Sequence, residues 1–231
     1  MSKLVERIIV DHDVGLYVVG DIHGCYDEFI STLKAAGFNF STDLCVSVGD
    51  IVDRGEQSEK CLSLLNEHWF RMVKGNHEDF CAKGYVDYMT EFYHKMENNG
   101  GLWFYQLHED TKAYVANRFE KLPLVIEVSY KGKLYGFVHA DVAVQDWELF
   151  KEMILNDDYV EGHSVRQRCI WSRDTIRKGE PVFVAQVDEV YLGHTVVKRP
   201  VKLGNLNFID TGCVFRKFDP ELHLTVKKLG G

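Results

Sequence analysis

A chain of 231 residues with 45% hydrophobic content can bury a sizeable core, and four prolines with no repeat, low-complexity stretch or Gly/Ser-rich linker favour one domain over 1–231. Its formal charge of −8 argues against non-specific nucleic-acid binding, which needs surplus Lys and Arg, and against an anionic membrane surface. No apolar run approaches the roughly 20 residues of a membrane span, so neither nucleic acid nor membrane is expected as a partner.

Residues 2–13 mix charges through their apolar positions, which is unlike a signal peptide, and a cytoplasmic location is expected. Six cysteines, at 25, 45, 61, 81, 169 and 213, include no Cys-x-x-Cys pair. Without a secretory signal they are expected to stay reduced and pack as small hydrophobes.

In chain order, residues 16–19 form the first apolar run read as a strand, ending in Gly20-Asp21-Ile22-His23-Gly24. Phe29, Ile30 and Leu33 then fall at helical spacing, with Gly37 as the stop. Residues 40–48 return as a strand whose buried part, 44–48, is cut off by Gly49-Asp50-Ile51-Val52-Asp53-Arg54-Gly55. Residues 56–68 read as a helix with Cys61, Leu62, Leu64 and Leu65 inward, and 70–73 as a third strand before Gly75-Asn76-His77-Glu78. This β-α-β-α-β order predicts parallel strands. Asp50 leaves the carboxyl end of one of them, where open α/β sheets place their ligands.

Residues 78–123 read as mostly helical. Tyr85, Tyr88, Met89, Phe92, Tyr93 and Met96 either line a substrate groove or, as burial tendencies favour, pack a helical cap of about residues 79–122 on the core. A second helix over 110–122 is ended by Pro123. Runs at 124–130 and 134–138, joined by Lys131-Gly132-Lys133, predict a hairpin that ends at His139-Ala140-Asp141. A helix is expected over 147–155 and a mobile loop over 156–168, closed by Trp171-Ser172-Arg173. Strands at 189–192 and 206–209 end in Gly193-His194-Thr195 and Asp210-Thr211-Gly212, and 222–226 reads as the last strand.

The histidines and aspartates singled out thus gather at strand ends. Any one of them alone would be a satisfied core or surface residue; their joint occurrence reverses that expectation. Asp21, His23, Asp50, Asn76, His139 and His194 supply carboxylate oxygen, amide oxygen and imidazole nitrogen without thiolate, a mixture that suits Mn²⁺, Fe or Zn²⁺. A carboxylate can bridge two ions. Asp50 is the expected bridge, with Asp21 and His23 on one ion and Asn76, His139 and His194 on the other.

Gly-Asp-Ile-His-Gly, Gly-Asp-Ile-Val-Asp-Arg-Gly, Gly-Asn-His-Glu, His-Ala-Asp and Gly-His-Thr, in that order, resemble the calcineurin-like metallophosphoesterases, and within them the phosphoprotein phosphatase branch that includes bacteriophage lambda protein phosphatase and its bacterial relatives. The resemblance runs over residues 15–215 and includes Asn98-Asn99-Gly100-Gly101, Trp171-Ser172-Arg173 and Ile209-Asp210-Thr211-Gly212. It implies an α/β fold, a β-sandwich of two mixed sheets flanked by helices, with two divalent metal ions, Mn²⁺ foremost. The implied reaction is hydrolysis of phosphoserine and phosphothreonine monoesters, with tolerance for phosphotyrosine, in phosphoprotein or phosphopeptide substrates.

On that assignment a hydroxide bridging two cations attacks phosphorus directly. Arg54 and Arg173, which match family positions, clamp phosphoryl oxygens. His77 protonates the departing alkoxide and Asp53 orients it. Cys25 does not begin a Cys-x5-Arg loop, and no Ser-His-Asp motif competes. Glu78 and Asp141 read either as residues that orient ligands or as polar residues near the mouth, and Asp210 as structural. His12, His68, His94, His108, His163 and His223 match no motif and read as surface or packing residues. Two other functions stay open: a symmetrical diadenosine tetraphosphatase, a branch that tends to lose the acidic residue before the arginine, here Asp53, and a catalytically silent scaffold, which would show lesions among the ligands. None is visible. Oligomeric state is not legible.

Overall fold

The structure, a computed structural model, describes residues 4–230. Ser2 and Lys3, part of the charged N-terminal stretch, lie outside the described residues. The chain runs through β1 (Val5–Val10), β2 (Leu16–Val19), α1 (Tyr26–Ala35), β3 (Leu44–Ser47), α2 (Ser58–Cys61) and β4 (Phe70–Met72). Four helices follow, α3 (Asn76–Gly84), α4 (Tyr88–His94), α5 (Leu102–Gln106) and α6 (Glu109–Glu120), then β5 (Val125–Tyr130), β6 (Lys133–Val138) and α7 (Trp147–Asn156). The last part holds β7 (Tyr159–Val160), β8 (His163–Ser164), α8 (Val165–Trp171), α9 (Asp174–Lys178), β9 (Glu189–Leu192), β10 (Val201–Leu203), β11 (Leu206–Phe208) and β12 (Val226–Lys228).

Two sheets result, one of six strands in the order β1-β5-β6-β9-β11-β10 and one of four in the order β12-β2-β3-β4. Both are mixed, as expected: β2, β3 and β4 are parallel, as are β6, β9 and β11, while β5–β6, β10–β11 and β12–β2 are antiparallel. Because side chains alternate along a strand, each sheet buries two faces. Leu16 and Val18 of β2 pack with Ile126 and Val128 of β5 and with Tyr135 and Phe137 of β6 in the layer between the sheets. Tyr17 and Val19 point the other way, into the layer shared with α1, α3 and α6. On the far side Val125 and Val138 face Trp147 and Phe150 of α7 and Cys169 of α8. This gives helices, sheet, sheet, helices. Loops after β2, β3, β4, β6, β9 and β11 therefore open towards one edge of the sandwich, and every strand-end motif lies on them.

Several expectations are corrected. The stretch 156–168 is not an unstructured loop: Glu161 and Gly162, both at positive φ, turn β7 into β8, and α8 begins at Val165. The helix expected over 56–68 is two short pieces, α2 and a 3-10 turn over Leu62–Asn66, because Gln57 is used to close the preceding loop by donating to the Gly24 carbonyl. The strand expected at 40–48 starts only at Leu44, and the last strand lies at Val226–Lys228. Residues 222–224 are instead held by Arg216 Nε on the Leu222 carbonyl and by Glu28 on the Leu224 amide. β1 and β10 were not anticipated; β1, carrying Glu6 and Arg7, is an edge strand that gains its identity by pairing in parallel with β5. Within the described residues all six cysteines are free, and no helix is long and apolar enough to cross a membrane.

One polar group locks α7 to the six-stranded sheet. Glu127 of β5 accepts from Trp147 Nε1 at 2.7 Å and pairs with the buried Lys151 ammonium. Glu127→Leu leaves that ammonium with Glu148 alone and orphans the indole donor, so a loss of about 3 kcal/mol is expected in a urea titration.

Candidate active site

Asp21 and His23 follow β2, Asp50, Asp53 and Arg54 follow β3, Asn76 and His77 open α3 after β4, His139 follows β6 and His194 follows β9. The turns that bring them together are strained. Nine non-glycine residues have φ in the left-handed region, and five of them are His23, Asp50, Asp53, Arg54 and His194. Strain concentrated in this way marks a site whose surroundings over-determine its geometry. Gly193 shows how tight the approach is, since a Cβ there would lie 2.0 Å from Asp21 Oδ1.

Asp50 is central. Its Oδ1 accepts from the His77 backbone amide at 2.9 Å, while Oδ2 faces His139 Nε2 at 3.4 Å, His23 Nε2 at 3.6 Å and His77 Nε2 at 3.9 Å. Each of these rings has its other nitrogen committed: Nδ1 of His23 donates to the Val52 carbonyl at 2.9 Å, that of His139 to the Val48 carbonyl at 2.7 Å, and that of His77 to Asp53 at 2.6 Å. In the neutral form the nitrogens that face Asp50 thus carry lone pairs. His194 donates through Nε2 to the Trp171 carbonyl and turns Nδ1 inward, 2.7 Å from Asn76 Oδ1, which also lies 3.0 Å from His139 Nε2. Asp21 Oδ2 accepts from the His194 amide, but its Oδ1 is buried with no partner.

Carboxylate oxygens and imidazole lone pairs facing one another underground repel unless positive charge lies between them. Although burial opposes ionisation of Asp50, the His139, His77 and His23 imidazoles hold its carboxyl well below the usual range. Burial, Asp210 and Asp50 together push Asp21 well up, and burial and Asp50 hold Asp210 at about 6. Burial and the neighbouring Arg54 charge lower His23, and burial, His139 and Arg173 bring His194 down to about 2, so both rings are in the neutral form that ligates metal. The donor set therefore fits divalent cations. His23, Asp50 and His77 form one group, and Asp50, His139 and His194 another, whose donor atoms are close enough to hold a metal ion together.

The structure thus brings Asp21, His23, Asp50, Asn76, His139 and His194 to one cluster, with His77 and Asp53 beside it. Arg54 arches over it, donating through one terminal nitrogen to His23 Nε2 and through Nε to the Asn98 carbonyl at 3.2 Å. Arg173 stands further out at the start of α9, close enough for the Asp50 and Asp21 charges to act on it. Glu78 is no rim residue: its buried carboxylate accepts from the Asp50, Ile51 and Gly75 amides, each at 2.9 Å. Asp141 likewise positions the arginine loop, accepting from Ser172 Oγ at 2.9 Å and the Thr175 amide at 3.2 Å.

His94, read above as a surface or packing residue, is corrected. It is fully buried, and its Nε2 lies 2.7 Å from Asp53 Oδ2, the oxygen that also binds His77. Trp103 Nε1 donates to the other oxygen at 2.6 Å. Against burial, which raises it, the hydrogen bonds from His77 and His94 hold the Asp53 carboxyl far below its ordinary value. No motif marks His94 in the sequence; in the structure a Cβ at Gly101 would lie 2.1 Å from the His94 ring.

The family model of calcineurin-like phosphoesterases matches residues 15–200. The chain belongs to this family. It is a phosphoesterase hydrolase of a family built on a dinuclear divalent metal centre. Serine/threonine-protein phosphatase 1 of Salmonella typhimurium is 32% identical over 219 residues, covering 93% of this chain and 94% of that protein. An asymmetrical bis(5'-nucleosyl)-tetraphosphatase of Anoxybacillus flavithermus is 30% identical, covering 86% of this chain and 85% of that protein. A protein serine/threonine phosphatase structure from Saccharomyces cerevisiae shares the fold at 18% identity, with a TM-score of 0.61 over 89% of this chain and 70% of that one. In this phosphoesterase the three amides on Glu78 generate a prediction. Glu78→Gln removes one acceptor oxygen and leaves at least one buried amide unpaired, so stability should fall by about 1–3 kcal/mol by chemical denaturation, with bound metal falling as the Asp50 turn loosens.

Proposed function

We propose that this phosphoesterase is a metal-dependent serine/threonine protein phosphatase acting on phosphoprotein or phosphopeptide monoesters, with residues 1–231 working as one domain. Asp21, His23 and Asp50 would hold one ion and Asp50, Asn76, His139 and His194 the other, and Mn²⁺ suits such a mixed oxygen-and-nitrogen set. When bound, the ions acidify water into a nucleophile and withdraw charge from the phosphoryl group. The chain's own groups do the rest. Arg54 swings from His23 to a phosphoryl oxygen, and Arg173 takes another, each guanidinium offering paired donors.

The observation that carries the reading is the Asp53–His77 pair. His77 donates Nδ1–H to the Asp53 carboxylate, itself anchored by His94 and Trp103, which fixes the ring with its Nε2 towards the cluster. Its Nε2 is buried, has no partner within the described residues and lies 3.9 Å from Asp50 Oδ2. A proton held there serves a poor leaving group such as a serine alkoxide. The full set of candidate ligands supports an enzyme rather than a silent scaffold.

A dinucleotide tetraphosphatase is the second reading; the relative that favours it, at 30% identity, is named as an asymmetrical enzyme rather than the symmetrical kind expected above. A monoester dianion, however, presents three terminal oxygens to two cations and two guanidinium groups, whereas an internal polyphosphate linkage presents fewer. In a side-by-side assay with Mn²⁺, kcat/KM for a phosphoserine or phosphothreonine peptide should exceed that for diadenosine tetraphosphate by at least about tenfold; faster cleavage of the dinucleotide than of every phosphopeptide installs the second reading. His77→Asn should cost roughly 10²–10⁴ in turnover of phosphoserine, leave metal content unchanged, and cost much less with p-nitrophenyl phosphate, whose leaving group barely needs a proton. An equal loss on both substrates removes His77 as the acid.

A further inference from the structure

Beside the cluster, on the side of α8 and α9, lies a cavity of about 470 Å³ whose lining includes His163, Gln167, Arg168, Trp171, Arg173 and Arg177. One residue separates it from the candidate ligands. The Trp171 carbonyl accepts from His194 Nε2 at 3.0 Å, and the indole stands edge-on to the His194 ring at 6.1 Å and to Phe80 at 5.1 Å. Arg173 belongs to both places, so whatever occupies the cavity lies next to the group held over the cluster.

The cavity collects positive charge in a chain whose net charge is −8. Arg168 is committed, to Asp174 at 3.1 Å and Glu161 at 3.5 Å. Arg173 and Arg177 are not: within the described residues neither has a carboxylate at ion-pair distance. The Arg177 amide donates to the Arg173 carbonyl at 3.0 Å, one helical turn back, so the two side chains leave the same face and repel. Burial, then Arg177 and Arg54, all work against the charge on Arg173. A cation in the last turn of a helix also suits the helix dipole, but Lys178 already serves α9 there and does not line this cavity. With Arg54 and Arg173 given to the phosphoryl group, Arg177 is a surplus guanidinium facing the neighbouring part of the substrate.

We propose that this cavity is a specificity subsite for an anionic side chain, a carboxylate or a second phosphate, flanking the phosphorylated residue of a substrate peptide, with Arg177 as the residue that recognises it. The inference rests on the phosphoprotein phosphatase reading and adds a preference for acidic sequence around the phosphosite. Arg177 acts here as a substrate-binding group and takes no part in bond cleavage.

The test compares kcat/KM for singly phosphorylated peptides that differ only in Glu, Ala or Lys on each side of the phosphoserine, and for one peptide with a second phosphoserine, using the metal-loaded wild type, Arg177→Ala and Arg177→Glu. The wild type should favour Glu over Lys by about tenfold on one side, Arg177→Ala should bring the ratio near unity, and Arg177→Glu should invert it. Using ratios cancels any general loss of fold or metal. A preference for the second phosphoserine without one for Glu assigns the subsite to phosphate; the reverse assigns it to carboxylate. Equal turnover of Glu- and Lys-flanked peptides by the wild type together with no preference for the second phosphoserine, or a preference that survives Arg177→Glu, overturns the subsite alone. Absence of turnover of every peptide while p-nitrophenyl phosphate is cleaved overturns the phosphoprotein reading and the subsite with it.

Discussion

Everything at the open edge of the sandwich depends on one electrostatic constraint, the burial of the Asp50 carboxylate among imidazole nitrogens at the junction of two sheets. A carboxylate in such a place is expensive to bury unless it is compensated. The chain compensates one oxygen with the His77 amide and surrounds the other with His139, His23 and His77. Holding three rings at that oxygen requires residues from β2, β4 and β6, and hence strands from both sheets. The apolar layer between the sheets, with Val18, Val46, Ile126 and Phe137, fixes the distance between those strand ends. The packing of the core and the geometry of the cluster are therefore one problem, and the left-handed backbone at His23, Asp50 and His194 is the strain that its solution leaves.

Asp53 is organised on a different principle. Its carboxylate faces three side-chain N–H groups, from α3, α4 and α5, while its own backbone amide donates to Ser58 Oγ. The helical segment after β4 is thus more than a cover. Its α4 and α5 deliver His94 and Trp103 to a carboxylate that belongs to the β3 loop, so the orientation of the His77 ring depends on a segment distant in sequence. Asp50 gathers lone pairs and attracts cations, whereas Asp53 gathers N–H groups and orients its neighbour's ring. Two carboxylates three residues apart are given opposite tasks by what surrounds them.

The fold and the cluster were legible in the sequence to the extent that they rest on local signals. Apolar runs ending at a polar residue, with a glycine before it in all but β6, marked β2, β3, β4, β6 and β9, and the donors stood directly after them. What could not be read depends on contacts between distant segments. β1 carries Glu6 and Arg7 and becomes a strand through β5; 156–168 looks like a loop until Arg166 Nε reaches the Ile154 carbonyl and its two short strands pair. His94 has no motif because its partner is 41 residues away, and its importance comes from burial against Phe80 and Asp53. Arg177 is one helical cation among several until α9 sets it on the face of Arg173.

These differences in legibility follow a division of labour. A phosphorylated residue and a nucleoside polyphosphate present the same phosphoryl chemistry to two cations, so the residues that must recur in both kinds of enzyme are those that hold charge at the cluster. Those residues need particular atoms at strand ends, and the requirement leaves short fixed motifs. Selection between substrates needs only that groups of the right sign and shape stand at the rim. Here the rim is built by α8, α9 and the stretch around Met96, where exposed Trp171 and Phe218 accompany arginines on a chain of net negative charge. Such positions tolerate many residue types and leave no motif, so the reaction can be read from the strand ends, and the substrate is decided by side chains whose meaning appears only when the chain is folded.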